Sequence, residues 1–379
     1  MELAKKIEQE AVDFRDKSVV LWRGGAALGD MVQCTPLFSR IKKAGAKSLA
    51  VYCWPNNRSI LENNPYIDEM ILWDKDLDEG APEDKRVAAD KAWQEKVSKY
   101  DLQVNLAWTV EGTYLSKSDF AGKNGEFMGL QLRQGRAKGL CWFEEMARAA
   151  RLDIAPGDKL LPELYFTQEE DEELEKFISK KRKSERWILW QPVGSALNKV
   201  FFQAIPFIKG IADKFINSKH FIAGNFSVVL DHDRMIPIAD KWPFRKLLNL
   251  MRGMDGFMGC ESALANASGA ECYSSIPKLI YYTHGWPESI SKNFTNCDYV
   301  TPRFTQKEKE DGIACYPCHL IPINYAHTWE GYKSRFNAII THAHCMEYEK
   351  QDPFKPLAYR CVTHLPLQDM AQKVVKMLR

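Results

Sequence analysis

Between residues 18 and 106 short apolar runs alternate with stretches of helical spacing, and few folds accept that order. Ser18–Trp22 has the β-branched, apolar character of a buried strand. The chain then passes Gly24, Gly25 and Gly29 before Thr35-Pro36, which reads as an N-cap followed by the residue favoured at a first helical position. Residues 36–43 carry Leu37, Phe38 and Ile41 on one face and stop before Gly45, as a glycine-capped helix does. Ser48–Cys53 is a second strand, residues 57–63 a short helix, and residues 70–73 a third strand after the turn Asn64-Pro65. Beyond a charged, solvated stretch at 74–99, residues 102–106 resume the sheet. Strand, helix, strand, helix, strand at this spacing predicts a parallel, doubly wound sheet.

The second half repeats the pattern. After a crossing at 153–166 that contains Pro156 and Pro162, residues 167–183 form a helix with a capping box from Thr167 to Glu170, acidic at its start and basic at its end. Strands at 187–191, 220–223, 256–258 and 278–282 alternate with helices at 207–215, Phe244–Met251 and 261–269. A closing helix at 368–378 carries Met370, Val374, Val375 and Leu378 on one side. With 379 residues, 45% of them hydrophobic, there is enough apolar material for two cores. The expectation is two doubly wound domains with a cleft between them.

Charge excludes some partners. The 52 basic and 50 acidic residues leave a formal +2, too little for a global field that draws the chain onto nucleic acid or an anionic membrane. Residues 1–17 are charged, with Leu3, Ile7, Ala11 and Phe14 at helical spacing, and so lack the apolar core of a signal peptide. No window reaches the length of a transmembrane helix. Ten cysteines without an export signal predict reduced thiols in a cytoplasm.

Several residues can carry chemistry. Asp30 falls in the predicted turn from strand to helix, at the carboxyl end of a strand where open α/β sheets bind ligands, and is either a general base or a helix cap. The stretch 113–151 is locally basic and includes Arg133 and Arg136; it either holds a phosphorylated or carboxylated substrate or is a solvated face. Trp22, Trp54, Trp108, Trp142 and Trp286 can stack on sugar faces, although core packing is the commoner use of such rings. Cys315-Tyr316-Pro317-Cys318, followed by Cys345 and Cys361 among several histidines, fits either a structural zinc site or packed thiols.

Gly29-Asp30, then Thr35-Pro36-Leu37, then Asn63-Asn64-Pro65-Tyr66-Ile67-Asp68-Glu69, resembles the opening of glycosyltransferase family 9, the heptosyltransferase-like enzymes of lipopolysaccharide assembly. The run Gln191 to Ser195 with Lys199 resembles that family's phosphate-contacting loop, and Asp255 to Ala270 resembles its donor-binding signature. Two departures leave the donor's identity open. Glu261-Ser262-Ala263 stands where the family usually has Asp, then Ser or Thr, then Gly, and Asn266 stands where it generally has His.

The resemblance implies an α/β, GT-B architecture: an acceptor-binding Rossmann-like domain at 1–160, a nucleotide-sugar-binding one at 161–365, and a helix at 366–379 returning to the first. It also implies an inverting, metal-independent transfer from an ADP- or UDP-linked sugar to a glycan or lipid-linked acceptor, in the cytoplasm or at the inner membrane surface. Asp30 would be the base, with Arg23, Gly29, Arg133 and Arg136 on the acceptor side. Gly194, Ser195, Lys199, Glu261, Ser262 and Asn266 would form the donor side, helped by backbone N–H groups at the start of the 261–269 helix. Arg23 would orient Asp30, touch the acceptor, or serve only as an ion-pair partner; Glu261 would accept from a donor hydroxyl or cap the helix. Two alternatives stand beside this reading: transfer to an unusual acceptor such as modified DNA, and a catalytically silent nucleotide-sugar-binding protein.

Overall fold

The computed structural model describes residues 12–23, 27–74, 82–106, 141–155, 157–194, 199–201, 203–224, 230–238, 241–283, 287–307 and 363–379. The chain divides into two compact units, residues 1–167 and 168–379.

In the first unit four strands, β1 (Ser18–Trp22), β2 (Ser48–Cys53), β3 (Glu69–Leu72) and β4 (Leu102–Asn105), form a parallel sheet in the order β3-β2-β1-β4. The helices among them are α1 (Leu28–Lys43), α2 (Arg58–Leu61), α3 (Glu83–Val97) and α4 (Trp142–Ala149). Apolar residues fill both faces of β1 and β2, as expected of strands covered on two sides. Val20, Trp22, Ala50, Tyr52 and Ile71 make one core with Trp93 and Val97 of α3.

The second unit carries a six-stranded parallel sheet in the order β10-β9-β8-β5-β6-β7, built from β5 (Arg186–Gln191), β6 (Ser218–Ile222), β7 (Met235–Pro237), β8 (Gly256–Cys260), β9 (Lys278–Tyr281) and β10 (Cys297–Val300). Its helices are α5 (Gln168–Ile178), α6 (Ala204–Lys214), α7 (Phe244–Met251), α8 (Ala263–Ala267), α9 (Pro287–Ile290) and α10 (Leu367–Leu378). The acidic start of α5 does more than answer a helix dipole. Glu170 takes a two-pronged bond from Arg245 at 2.6 and 2.7 Å, while Asp171 pairs with Arg252 at 2.7 Å and Glu173 with Lys246 at 2.5 Å, so α5 is clamped to α7.

One expectation is corrected. Thr35-Pro36 does not open a helix: α1 begins seven residues earlier, at Leu28, and Pro36 lies inside it. A proline there cannot donate to the carbonyl four residues back, that of Val32, and the Thr35 hydroxyl donates to that carbonyl instead at 2.8 Å. Asp30 therefore stands in the first turn of α1 rather than in a loop before it. Within the stretch read as the crossing, residues 158–163 belong to the first unit. The 158–163 segment is tied to α1 by Arg40 on Asp158 at 2.6 Å, by the Glu163 N–H on Thr35 Oγ1 at 2.9 Å, and by Ser39 on Glu163 at 2.6 Å. Helix α10 contributes to the second unit's core, where Met370, Val374 and Leu378 pack with Ile188, Met258 and Leu279. Their four-residue spacing gives the helix one apolar stripe, and the second sheet is what covers it.

Two features make the second unit testable. His220 is fully buried, its Nδ1 accepting from Trp190 Nε1 at 3.0 Å and its Nε2 lying 2.8 Å from Ser218 Oγ, which itself donates to the Phe215 carbonyl. Burial, with His232 and Arg234 adding positive charge nearby, pushes its pKa down to about 3. A histidine depressed in the fold contributes stability that is present above its unfolded value and is lost as pH falls below about 6.5. Lowering the pH from 7 to 5 is expected to cost about 2 kcal/mol through this residue, read by urea titration, and His220→Gln should flatten that dependence. At Gly269, just past α8, an added methyl group would overlap the Phe294 ring, so Gly269→Ala is expected to lower stability by about 3 kcal/mol in the same assay.

Candidate active site

Strand order locates the crevices. In each sheet the chain reverses its direction of growth once, between β1 and β4 in the first and between β5 and β8 in the second. Loops leaving neighbouring strands at such a point diverge to opposite faces, and the gap at the carboxyl ends is where open α/β sheets bind ligands.

At the first switch point β1 runs directly into Arg23, and α1 brings back Gly29 and Asp30. Arg23 Nη2 donates to Asp30 Oδ2 at 2.5 Å. The arginine is 2% exposed and the carboxylate 17%, so the guanidinium is enclosed while the carboxylate keeps a face to solvent. An enclosed cation held on a partly open carboxylate fixes the orientation of that carboxylate. The contact is an ion pair between the two residues. One turn on, Gln33 is fully buried, and among the described residues both polar atoms of its amide lack a hydrogen-bond partner. Arg133 and Arg136 lie outside the described residues.

At the second switch point the loops after β5 and β8 are joined. Gln191, the last residue of β5, accepts from the Ser262 hydroxyl at 2.5 Å. The Gly194 N–H donates to the Lys199 carbonyl at 3.1 Å. A side chain at Gly194 would collide with the stem of Lys199 and press on Cys260 Sγ, so glycine is what lets the lysine cross here. Ser195 lies outside the described residues.

Glu261 links two segments of the second sheet. It sits before α8, is 1% exposed, and accepts from the Thr283 N–H at 3.2 Å, which ties the end of β8 to the segment leaving β9. The helix itself runs only from Ala263 to Ala267, with Ser262 at its N-cap position and Asn266 buried within it. A helix this short contributes little dipole, which shifts the electrostatic weight of the site to Lys199. Gln191 and Thr283 were not singled out from sequence, because their contacts depend on which strands are neighbours.

Thiol chemistry finds no support here. Burial pushes the Cys260 thiol, between Ser262 and Tyr281, up to about 11, and raises Cys53 to about 11 and Cys297 to about 12. Such thiols stay protonated near neutrality and are poor nucleophiles. Cys315, Cys318, Cys345 and Cys361 lie outside the described residues. Among the described residues no helix is long and apolar enough to cross a membrane.

No protein-family model and no curated protein matches the chain. Solved structures do. The glycosyltransferase family 9 protein of Veillonella parvula DSM 2008 aligns over 98% of this chain and 99% of its own, at 13% identity and a TM-score of 0.61. The ADP-heptose lipopolysaccharide heptosyltransferase II of E. coli aligns over 88% and 99%, at 13% identity and a TM-score of 0.52. The E. coli heptosyltransferase WaaC, solved with ADP, aligns over 74% and 92%, at 12% identity and a TM-score of 0.50. The chain thus has the two-domain, Rossmann-like GT-B fold, in agreement with the family 9 resemblance of its motifs.

Proposed function

We propose that this chain is a glycosyltransferase that moves a sugar from a nucleotide-sugar donor to a hydroxyl of a glycan or lipid-linked acceptor, with inversion and without a required metal. The observation that carries the reading is that both motif sets fall at topological switch points, Arg23 and Asp30 in the first sheet and Gln191, Lys199 and Ser262 in the second.

The chemistry follows from the residue types. Asp30 accepts the proton of the acceptor hydroxyl, and that oxygen attacks the anomeric carbon as the bond to the diphosphate breaks. The nucleoside diphosphate departs with the bonding electrons, and Lys199 offsets the charge that develops on it. Arg23 holds the base in place. Glu261, already bound to the Thr283 N–H, shapes the donor pocket rather than touching phosphate, which it would repel. ADP-linked sugars are the first donors to test, because WaaC was solved with ADP.

The test is a thermal-shift series with ADP-, UDP-, GDP- and CMP-linked sugars and the bare nucleotides. A ligand that binds only the native state raises the melting temperature by mass action. A shift with one nucleotide, followed by release of that nucleoside diphosphate when an acceptor is added, supports the reading. A shift without turnover supports the silent binding protein, and salt-sensitive retention on DNA supports the modified-DNA alternative.

A further inference from the structure

Three adjacent strands of the first sheet each end on a tryptophan. Trp22 closes β1, Trp54 follows β2 and Trp73 follows β3, which puts all three at the carboxyl edge. Their rings form a ladder: Trp54 lies on Trp73 at 5.4 Å between centroids and 8° between planes, and Trp73 lies on Trp22 at 6.2 Å and 9°. The aromatic contacts deeper in the same core are tilted instead, with Trp22 at 52° to Tyr52 and 62° to Trp93.

The ladder leads from the core to the surface. Trp22 is 9% exposed, while Trp73 and Trp54 are half-buried and Leu72 beside them is 43% exposed. Trp54 is the end of it. Its one ring contact among the described residues is to Trp73, and its buried indole N–H has no acceptor there. A buried indole N–H normally finds a partner, so among the described residues this end of the ladder carries a donor still to be met. The inner end is joined to the proposed reaction centre through the backbone, because Trp22 is followed directly by Arg23, which is bonded to Asp30.

We propose that the Trp54–Trp73 end of this ladder is a platform on which a pyranose ring of the acceptor stacks, a ring set back along the glycan from the hydroxyl that Asp30 deprotonates. The assignment rests on the transferase reading for its acceptor. Charge decides for a sugar over a nucleobase. A stacked nucleic-acid strand brings a phosphate with every nucleotide and calls for a basic groove. Here the neighbouring Asp74 is an anion, and the nearby cation Arg58 is taken up by Glu62 at 3.1 Å. A neutral ring with an apolar face asks for no counter-charge.

The test titrates tryptophan fluorescence with the core oligosaccharide of deacylated lipopolysaccharide, with chitotetraose and with the oligonucleotide dT12, on wild type, Trp54→Ala and Trp54→Phe, each with its melting curve. Saturable quenching by an oligosaccharide, weakened roughly tenfold in Trp54→Ala and kept in Trp54→Phe at unchanged melting temperature, supports the platform. Equal binding by Trp54→Ala and wild type, no saturable response to either oligosaccharide, or Trp54-dependent binding of dT12 alone overturns it. The ADP-induced thermal shift of the same samples separates the two ideas. Its absence alongside Trp54-dependent quenching counts against the transferase reading and for the platform.

Discussion

Asp30→Asn is expected to lower the rate of sugar transfer by roughly 100-fold to 10,000-fold, the range that a positioned general base contributes. The substitution keeps the shape of the side chain and an oxygen that can still accept from Arg23, so the buried guanidinium retains a partner and the fold should hold. Donor affinity should not move, since the residues proposed to hold the donor belong to the other unit. The pattern to look for is a collapse in kcat with the donor KM unchanged, which marks an interaction used only in the transition state. A rate within tenfold of wild type would reduce the Arg23–Asp30 pair to a structural contact. Arg23→Lys is the companion variant: a single ammonium cannot copy the planar fork that orients the carboxylate, and a smaller loss of kcat is expected.

Lys199→Ala carries the second large effect. If this lysine meets the diphosphate, its removal costs a charge-assisted contact of about 1.5–3 kcal/mol, or roughly 10- to 150-fold in donor affinity. The loss should appear for the bare nucleoside diphosphate as well as for the sugar-linked donor, and should be smaller for the free nucleoside, which has no phosphate to lose. Calorimetric titration of the three ligands reads this directly. Equal weakening of all three would mean that the variant damages the backbone contact between Gly194 and Lys199 rather than a phosphate contact.

The strands were legible because burial writes itself into short apolar runs, and β1, β2 and β5 fall within a residue or two of their expected bounds. The strands β7 and β10 were not, although β3 and β4, which also lie at sheet edges, were. Met235–Pro237 is only three residues long, and Cys297–Val300 exposes Asp298 and Tyr299, so neither carries the apolar run of a covered strand. Thr35-Pro36 misled for a different reason. A local rule about helix starts was answered by a side chain that repairs the helix from within.

The site divides along the same line. Asp30, Lys199 and Glu261 stand out by residue type and motif, whereas Gln191, Thr283 and the parallel stack of Trp54 on Trp73 depend on strand order and register, which no local pattern encodes. Asp30 and Arg23 were visible as residues, but the 2.5 Å bond between them follows from where α1 begins.

If the carboxyl edge of the second sheet holds a nucleoside diphosphate on Lys199, a crystal structure with the nucleoside diphosphate that raises the melting temperature should place its diphosphate in the gap between the loops after β5 and β8, with a phosphate oxygen about 3 Å from Lys199 Nζ. That nucleotide bound elsewhere, or crystals grown in millimolar nucleotide that bind none, would overturn the assignment of Lys199.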